Sequence, residues 1–193
     1  MAAPVATRLL TAEEFYKLPD PPEGGKMELI CGEVVTHMAV GGPHGTYVMN
    51  IGTEFELFNR QHQLGDIGAE VGFRLAVDPD IVRAPDVHFV RRDRLPDGEN
   101  MPPAFFPGYP DLAVEVASPD DTDAEITLKV LQYLSAGTPR VWVVRPLVAT
   151  VTVHRPDYSA RTYRRGETLD SDAAGFAVDG FELQLDVLFR RER

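Results

Sequence analysis

The sequence predicts an α/β fold of mixed α+β character, with a central mixed β-sheet flanked by helices. Three observations point there. Residues 112–116 and 141–144 are almost wholly apolar, as strands covered on both faces are. Residues 44–62 and 123–136 repeat their apolar side chains at helical spacing. The segments also run helix, hairpin, helix, strands, helix, strands, an order that interleaves both element types around one core.

Thr11, with Glu14 three residues on, forms a capping box that opens a short helix to about residue 18, stopped by Pro21 and Pro22. Residues 27–35 read as a hairpin turning at Gly32. From 44 to 62, Tyr47, Val48, Ile51, Phe55 and Phe58 mark one helix face, and Gly65 and Gly68 are expected to close that helix. Residues 71–77 alternate as a strand, and 86–90 form a short apolar one. Prolines at 96, 102, 103, 107 and 110 mark a long irregular loop over 91–110, a common place for binding elements. A buried strand with Glu115 follows, then a turn and helix cap at 118–122 and a helix over 123–136 that stops at Gly137. Residues 141–144 form a buried strand, and 150–154 pairs with 161–163 across Pro156 and Asp157. The remainder, to Phe189, adds a further strand or short extensions. No internal repeat or low-complexity segment interrupts the chain, and 1–193 is expected to be a single domain.

Composition narrows the function classes. One cysteine, Cys31, excludes an internal disulfide and a multi-cysteine zinc site, which fits a reducing cytoplasm. No apolar run approaches the roughly 20 residues that span a bilayer, and no signal-peptide core opens the chain, so a cytoplasmic protein without membrane contact is expected. The net charge of −11 argues against strong non-specific nucleic-acid binding. That charge is uneven: residues 1–139 hold 10 basic and 22 acidic side chains, whereas 140–193 hold 9 and 8. The acid excess therefore lies in the part that holds the candidate site. A dimer could still build a local basic cleft that the sum conceals.

Glu115 is the first candidate for a functional group. Along its strand Leu112, Val114 and Val116 point to one face, and Asp111, Ala113, Glu115 and Ala117 to the other. The flanking alanines leave a niche, and an ionised carboxylate buried there needs a paired charge or a cation. Asp86 opens the preceding strand, so the two acids are expected on neighbouring strands. Two such carboxylates suit a hard cation such as Mg²⁺, which keeps several waters. Lys129 lies at the edge of the helical stripe formed by Ile126, Val130 and Tyr133, within reach of the sheet, where it could stabilise charge developing on a phosphate.

The run Ala84-Pro85-Asp86-Val87, the run from Pro110 through Glu115 to Pro119, then Lys129, Tyr133, Ala136-Gly137 and Val141-Trp142-Val143-Val144 resembles the Uma-two family of restriction endonucleases. So do the Met27-to-Val35 hairpin and His44. The family belongs to the PD-(D/E)XK nuclease-like superfamily, and the likeness covers nearly the whole chain. It implies a restriction-endonuclease-like core, with Asp86 and Glu115 as metal ligands, Lys129 as catalytic lysine and Glu28 as a further acid, in competition with Glu33. The implied activity is Mg²⁺-dependent hydrolysis of phosphodiester bonds; DNA is the expected substrate, Mn²⁺ an expected substitute for Mg²⁺, and a homodimer the expected assembly. Three positions depart from the superfamily pattern: Ala117 stands where the motif lysine is expected, Glu125 where an aspartate is frequent, and Arg145 where an aspartate often follows the last buried strand.

Simpler roles compete. Glu115 could pair with Arg74 or Arg83, Asp86 could cap backbone groups at a strand start, and Lys129 could be an i,i+4 partner of Glu125. His44 reads as a loop histidine or a phosphate contact, Asp111 as a strand-edge residue, and Trp142 and Tyr133 as core. Arg91, Arg92 and Arg94, like Arg161, Arg164 and Arg165, could meet a nucleic-acid backbone or lie on solvated turns. Two further functions remain open on the same residues: a non-catalytic binding or assembly module on a nuclease fold, and a metal-dependent hydrolase of a small phosphorylated substrate.

Overall fold

The computed structural model describes residues 8–190, apart from 39, 40, 97 and 99. Thr11 caps α1 (Ala12–Phe15) with both halves of the capping box formed. β1 (Lys26–Ile30) and β2 (Glu33–His37) pair antiparallel around Cys31 and Gly32. Both turn residues have positive φ (51° and 79°), the geometry that matches the right-handed twist of a hairpin. α2 (Gly42–His62) buries Ile51 and Phe55 and ends on Gln63 in the left-handed conformation.

The glycines expected to close α2 instead lie in a strand. β3 (Gly65–Gly68) runs antiparallel to a later strand, and a Cβ at Gly65 would sit 1.9 Å from the Val90 carbonyl oxygen. Glycine is needed there for close backbone approach, so the two positions carry strand information and not a helix stop. Asn59 closes the helix end, receiving the Leu64 and Gly65 N–H groups on Oδ1 and donating to the Gly65 carbonyl.

β4 (Phe73–Ala76), β5 (Ile81–Arg83), β6 (Val87–Arg91), β7 (Phe106–Pro107) and β8 (Leu112–Val116) follow. α3 (Asp123–Ala136), capped by Thr122 and Glu125, crosses to β9 (Arg140–Arg145), which lies parallel to β8. β10 (Thr150–His154) and β11 (Ala160–Arg164) form the expected hairpin. The chain closes with β12 (Thr168–Asp170), α4 (Ser171–Ala174), β13 (Glu182–Gln184) and α5 (Leu185–Leu188).

The expected central mixed sheet flanked by helices is present as the six-stranded one, and the described strands add a second mixed sheet and a small ribbon. Their orders are β2-β1-β5-β4-β7, β11-β10-β9-β8-β6-β3 and β12-β13. The larger sheets divide at Ala84-Pro85-Asp86, between β5 and β6. Pro85 has no N–H to offer a ladder, so the chain leaves one sheet there and enters the next. The 91–110 loop is also less irregular than expected, since Phe106 and Pro107 add a parallel edge strand beside β4.

The six-stranded sheet is covered on both faces. Leu112, Val114, Val116, Trp142 and Val144 pack with Ile51 and Phe55 of α2 in the main core. Ala113, Val141 and Val143 pack with Ile126, Val130 and Tyr133 of α3 on the other face. The alternation read along 112–116 is the alternation observed, and Glu115 points to the α3 side.

Candidate active site

The site lies where the two large sheets meet. Glu28 comes from β1 of one, Glu115 from β8 of the other, Asp86 from the link between them, and Lys129 from the first half of α3. β6 and β8 pair antiparallel with Val87 opposite Val114, so continuing that register sets Asp86 opposite Glu115. All three acids are buried, at 0, 8 and 4 % relative exposure for Glu28, Asp86 and Glu115. Asp86 and Lys129 face a cleft of about 720 Å³, whose other walls include Lys26, His37, His44 and Glu70.

Burial of three carboxylates is tolerated because each has a dedicated cation. Lys129 Nζ donates to Glu115 Oε2 at 2.8 Å, and the Tyr133 hydroxyl donates to Oε1 at 2.9 Å. Arg83 Nη1 donates to Glu28 Oε2 at 2.6 Å, the Ala84 N–H to Oε1 at 3.0 Å, and His37 Nε2 lies 2.9 Å from Oε2. Asp86 Oδ2 accepts the Val116 N–H at 2.7 Å and lies 3.3 Å from His44 Nε2, while Lys26 Nζ stands 3.7 Å from Oδ1. Arg83 also reaches Gln132 Oε1 at 2.7 Å, which ties α3 to the acid cluster.

These contacts pull the acids apart in proton affinity. Burial raises all three. At Glu28 it is outweighed by the adjacent His37 imidazole and the Arg83 and lysine charges, so its carboxyl is held well below the usual range. Asp86 is likewise held down, against burial, by His44, Lys26 and the Val116 N–H. At Glu115 burial wins over Lys129, and the neighbouring Asp86 and Glu28 charges push the same way, so its pKa is raised. The acids in turn hold the Lys129 ammonium firmly protonated despite burial, and they join burial in pushing the Tyr133 hydroxyl well above its usual value. Glu115 is thus the acid of the three that takes up a proton first.

Several simpler roles are displaced. Lys129 reaches Glu115, while Glu125 is spent on the Thr122 cap. Arg83 and Arg74, the alternative partners of Glu115, bind Glu28 and Asp80. Asp86 does bond a strand N–H, and does so in addition to facing His44 and Lys26. His44 lies in the first turn of α2, where its contact with Asp86 raises its pKa. Tyr133 is core and site together. Asp111 lies apart, bonded to the Arg91 N–H and Arg94. The exposed cation clusters are largely consumed internally: Arg91 meets Asp93, Arg94 meets Asp111, and Arg161 meets Glu167. Arg145, at one departure from the superfamily pattern, pairs with Asp123. Glu33 begins β2 and is exposed, away from the buried acids.

Sequence reasoning missed Lys26 and His37. Both lie on the β1–β2 hairpin, and at its far end from the turn they are register partners. The strand alternation that places Glu28 on the site face also places Lys26 there, and that signal was available.

The donor set suits a hard divalent ion. Asp86 at the cleft and Glu115 behind it would supply carboxylate oxygens, a donor set that fits Mg²⁺, which takes one or two carboxylates and keeps several waters. Among the described residues no group of three or more His, Cys, Asp or Glu side chains is placed to hold a metal ion. Also among them, no helix is long and apolar enough to cross a membrane.

A search of curated proteins finds no match. A solved structure from Anabaena variabilis, titled as "a putative nuclease belonging to DUF820", matches with a TM-score of 0.77 at 22% identity, over 93% of this chain and 97% of that one. At that identity the likeness shows a shared fold. The family model described as "Uma2: Putative restriction endonuclease" matches residues 12–187, from the first helix into the last, with all four candidate site residues inside it. The chain belongs to the Uma2 family.

Proposed function

We propose that the protein is a Mg²⁺-dependent endonuclease that hydrolyses DNA phosphodiester bonds, with Asp86 and Glu115 as metal ligands, Lys129 as the catalytic cation and Glu28 as the supporting acid. One observation carries this reading: Asp86, bonded to the Val116 N–H beside Glu115, and Lys129, whose ammonium lies 2.8 Å from Glu115, line one open cleft. Family membership and the nuclease-like fold support it. The bound ion would polarise the phosphate and lower the pKa of an attacking water. Mn²⁺ serves the same oxygen ligands.

The chain's own residues do the rest. Tyr133 fixes the Glu115 carboxylate through Oε1, and the Val116 N–H and His44 fix Asp86 through Oδ2. Glu28, held ionised with help from Arg83, helps to keep Lys129 protonated. Lys129 stays cationic across the neutral range and can offset charge that develops on the phosphate in the transition state. We take residues 1–193 as one nuclease domain acting as a homodimer in the cytoplasm.

Cleavage of a supercoiled plasmid with Mg²⁺ tests the reading. Glu115→Gln and Asp86→Asn should each lose cleavage while keeping the parent's circular dichroism. Cleavage by Glu115→Gln at the parent's rate, with chelator controls inactive, would overturn it. A specific observation favours a second reading, a binding module without catalysis: each acid already has a protein cation, and the chain's net charge is −11. Metal-independent DNA binding without cleavage would select it.

A further inference from the structure

We propose that Lys26 is a phosphate-gripping residue that a divalent cation releases from Asp86, so that the cleft accepts a nucleic-acid phosphate once the cation is bound. This rests on the metal-nuclease reading above.

The three acid–cation pairs differ in tightness. Arg83 and Lys129 hydrogen-bond their acids at 2.6 and 2.8 Å. Lys26 stands 3.7 Å from Asp86 Oδ1, beyond hydrogen-bond length. Its side chain is also the most open of the three cations, at 20% exposure against 14% for Lys129 and 5% for Arg83. Lys26 therefore faces the cleft with a long ion pair and no hydrogen bond among the described residues, while Lys129 is already engaged.

Charge gives this a direction. Glu28, Asp86 and Glu115 are matched one for one by Arg83, Lys26 and Lys129. The cleft wall adds Glu70, Asp120, Asp121 and Glu125, so without a cation it repels a polyanion. A divalent cation on Asp86 and Glu115 would make the balanced cluster net positive, offset part of the wall's negative charge, and compete with Lys26 for Asp86 Oδ1. The displaced ammonium keeps three N–H donors, and an incoming phosphate oxygen supplies their acceptor. In this way a chain of net charge −11 can hold nucleic acid without a basic face.

The test measures two affinities in the full chain: a fluorescein-labelled DNA duplex by anisotropy, in Ca²⁺ and in chelator, and Mn²⁺ alone by calorimetry. Lys26→Gln should weaken Ca²⁺-dependent DNA binding about tenfold, as loss of a charged hydrogen bond does, and reduce the salt slope by about 1. The same variant should bind Mn²⁺ several-fold more tightly, because Asp86 has lost a competing cation. Lys26→Arg should recover most of the DNA affinity. Opposite signs on the two ligands distinguish this role from a residue that only supports the fold. Undiminished DNA binding in Lys26→Gln, or weaker Mn²⁺ binding, overturns the proposal. Failure of the underlying metal site looks different: the parent takes up no Mn²⁺, or Asp86→Asn takes it up equally, and the proposal falls with it.

Discussion

Replacing Lys129 with methionine keeps most of the side-chain volume and removes the charge opposite Glu115. Both partners are buried, with side chains 14% and 5% exposed, so Glu115 is left with the Tyr133 hydroxyl and no dedicated cation. Breaking such a pair from one side costs about 3–5 kcal/mol. Part of that cost is avoided by protonation. Burial already raises the Glu115 pKa, and Lys129 is the largest influence opposing it, so in Lys129→Met the pKa rises further. The unfolded chain's glutamate titrates near 4.3 in both proteins. A group with a raised folded pKa contributes stability below its unfolded pKa and loses it as pH rises through the folded value. The two proteins therefore diverge only between the parent's raised Glu115 pKa and the variant's higher one, by about 1.4 kcal/mol per pH unit. The penalty should be small in acid, below the parent's raised Glu115 pKa, and grow with pH toward a plateau of about 3–5 kcal/mol. Urea denaturation of both proteins at pH 5, 6, 7 and 8 reads this directly. Adding Glu115→Gln should abolish the pH dependence and bring the double variant's loss below the sum of the singles. A penalty independent of pH, or larger at pH 5 than at pH 8, would refute the reasoning.

Other outcomes follow from the same contacts. Asp80 receives the Ala12 N–H at 2.6 Å and Arg74 at 2.8 Å and has a lowered pKa despite burial; Asp80→Asn should cost about 1.5–3 kcal/mol at pH 7. Because a depressed folded pKa gives stability that is present above about 3.9 and lost as pH falls through the folded value, the parent and Asp80→Asn should converge in acid, measured by denaturation at pH 7 and pH 3. Gly65→Ala would press a methyl group against the Val90 carbonyl and should lose about 3 kcal/mol or more, with hydrogen exchange accelerated along β3. Tyr133→Phe removes the donor to Glu115 Oε1 and leaves the ring in place; it should cost about 1–3 kcal/mol by denaturation and lower the cleavage rate more than the affinity for DNA.

Much of this arrangement was legible in the sequence because it depends on local periodicity. Alternation along 112–116 placed Glu115 opposite the apolar core face, and helical spacing brought Lys129 to the edge of the α3 stripe. Both inferences needed only short stretches of chain. The division into two sheets was harder to read, since β3, β5 and β7 are four residues or fewer and pair with strands distant in sequence. Gly65 shows why. A glycine after an apolar helix is the usual stop signal, and only the approach of Val90 reveals its actual use. His44 was ambiguous for a similar reason: its partner Asp86 lies far along the chain and comes within reach only when β6 docks beside α2. Lys26 was overlooked because a lysine near a hairpin start is ordinarily solvated, and nothing local marks the buried acid opposite it.

The central proposition is that Asp86 and Glu115 jointly bind a divalent ion beside Lys129. Anomalous diffraction from a Mn²⁺-soaked crystal tests it most directly. The account predicts one dominant peak within about 2.0–2.5 Å of oxygens from both carboxylates, absent from an Asp86→Ala crystal. A peak elsewhere in the molecule, or a density map in which both acids keep Lys26 and Lys129 as their partners at saturating Mn²⁺, would contradict it.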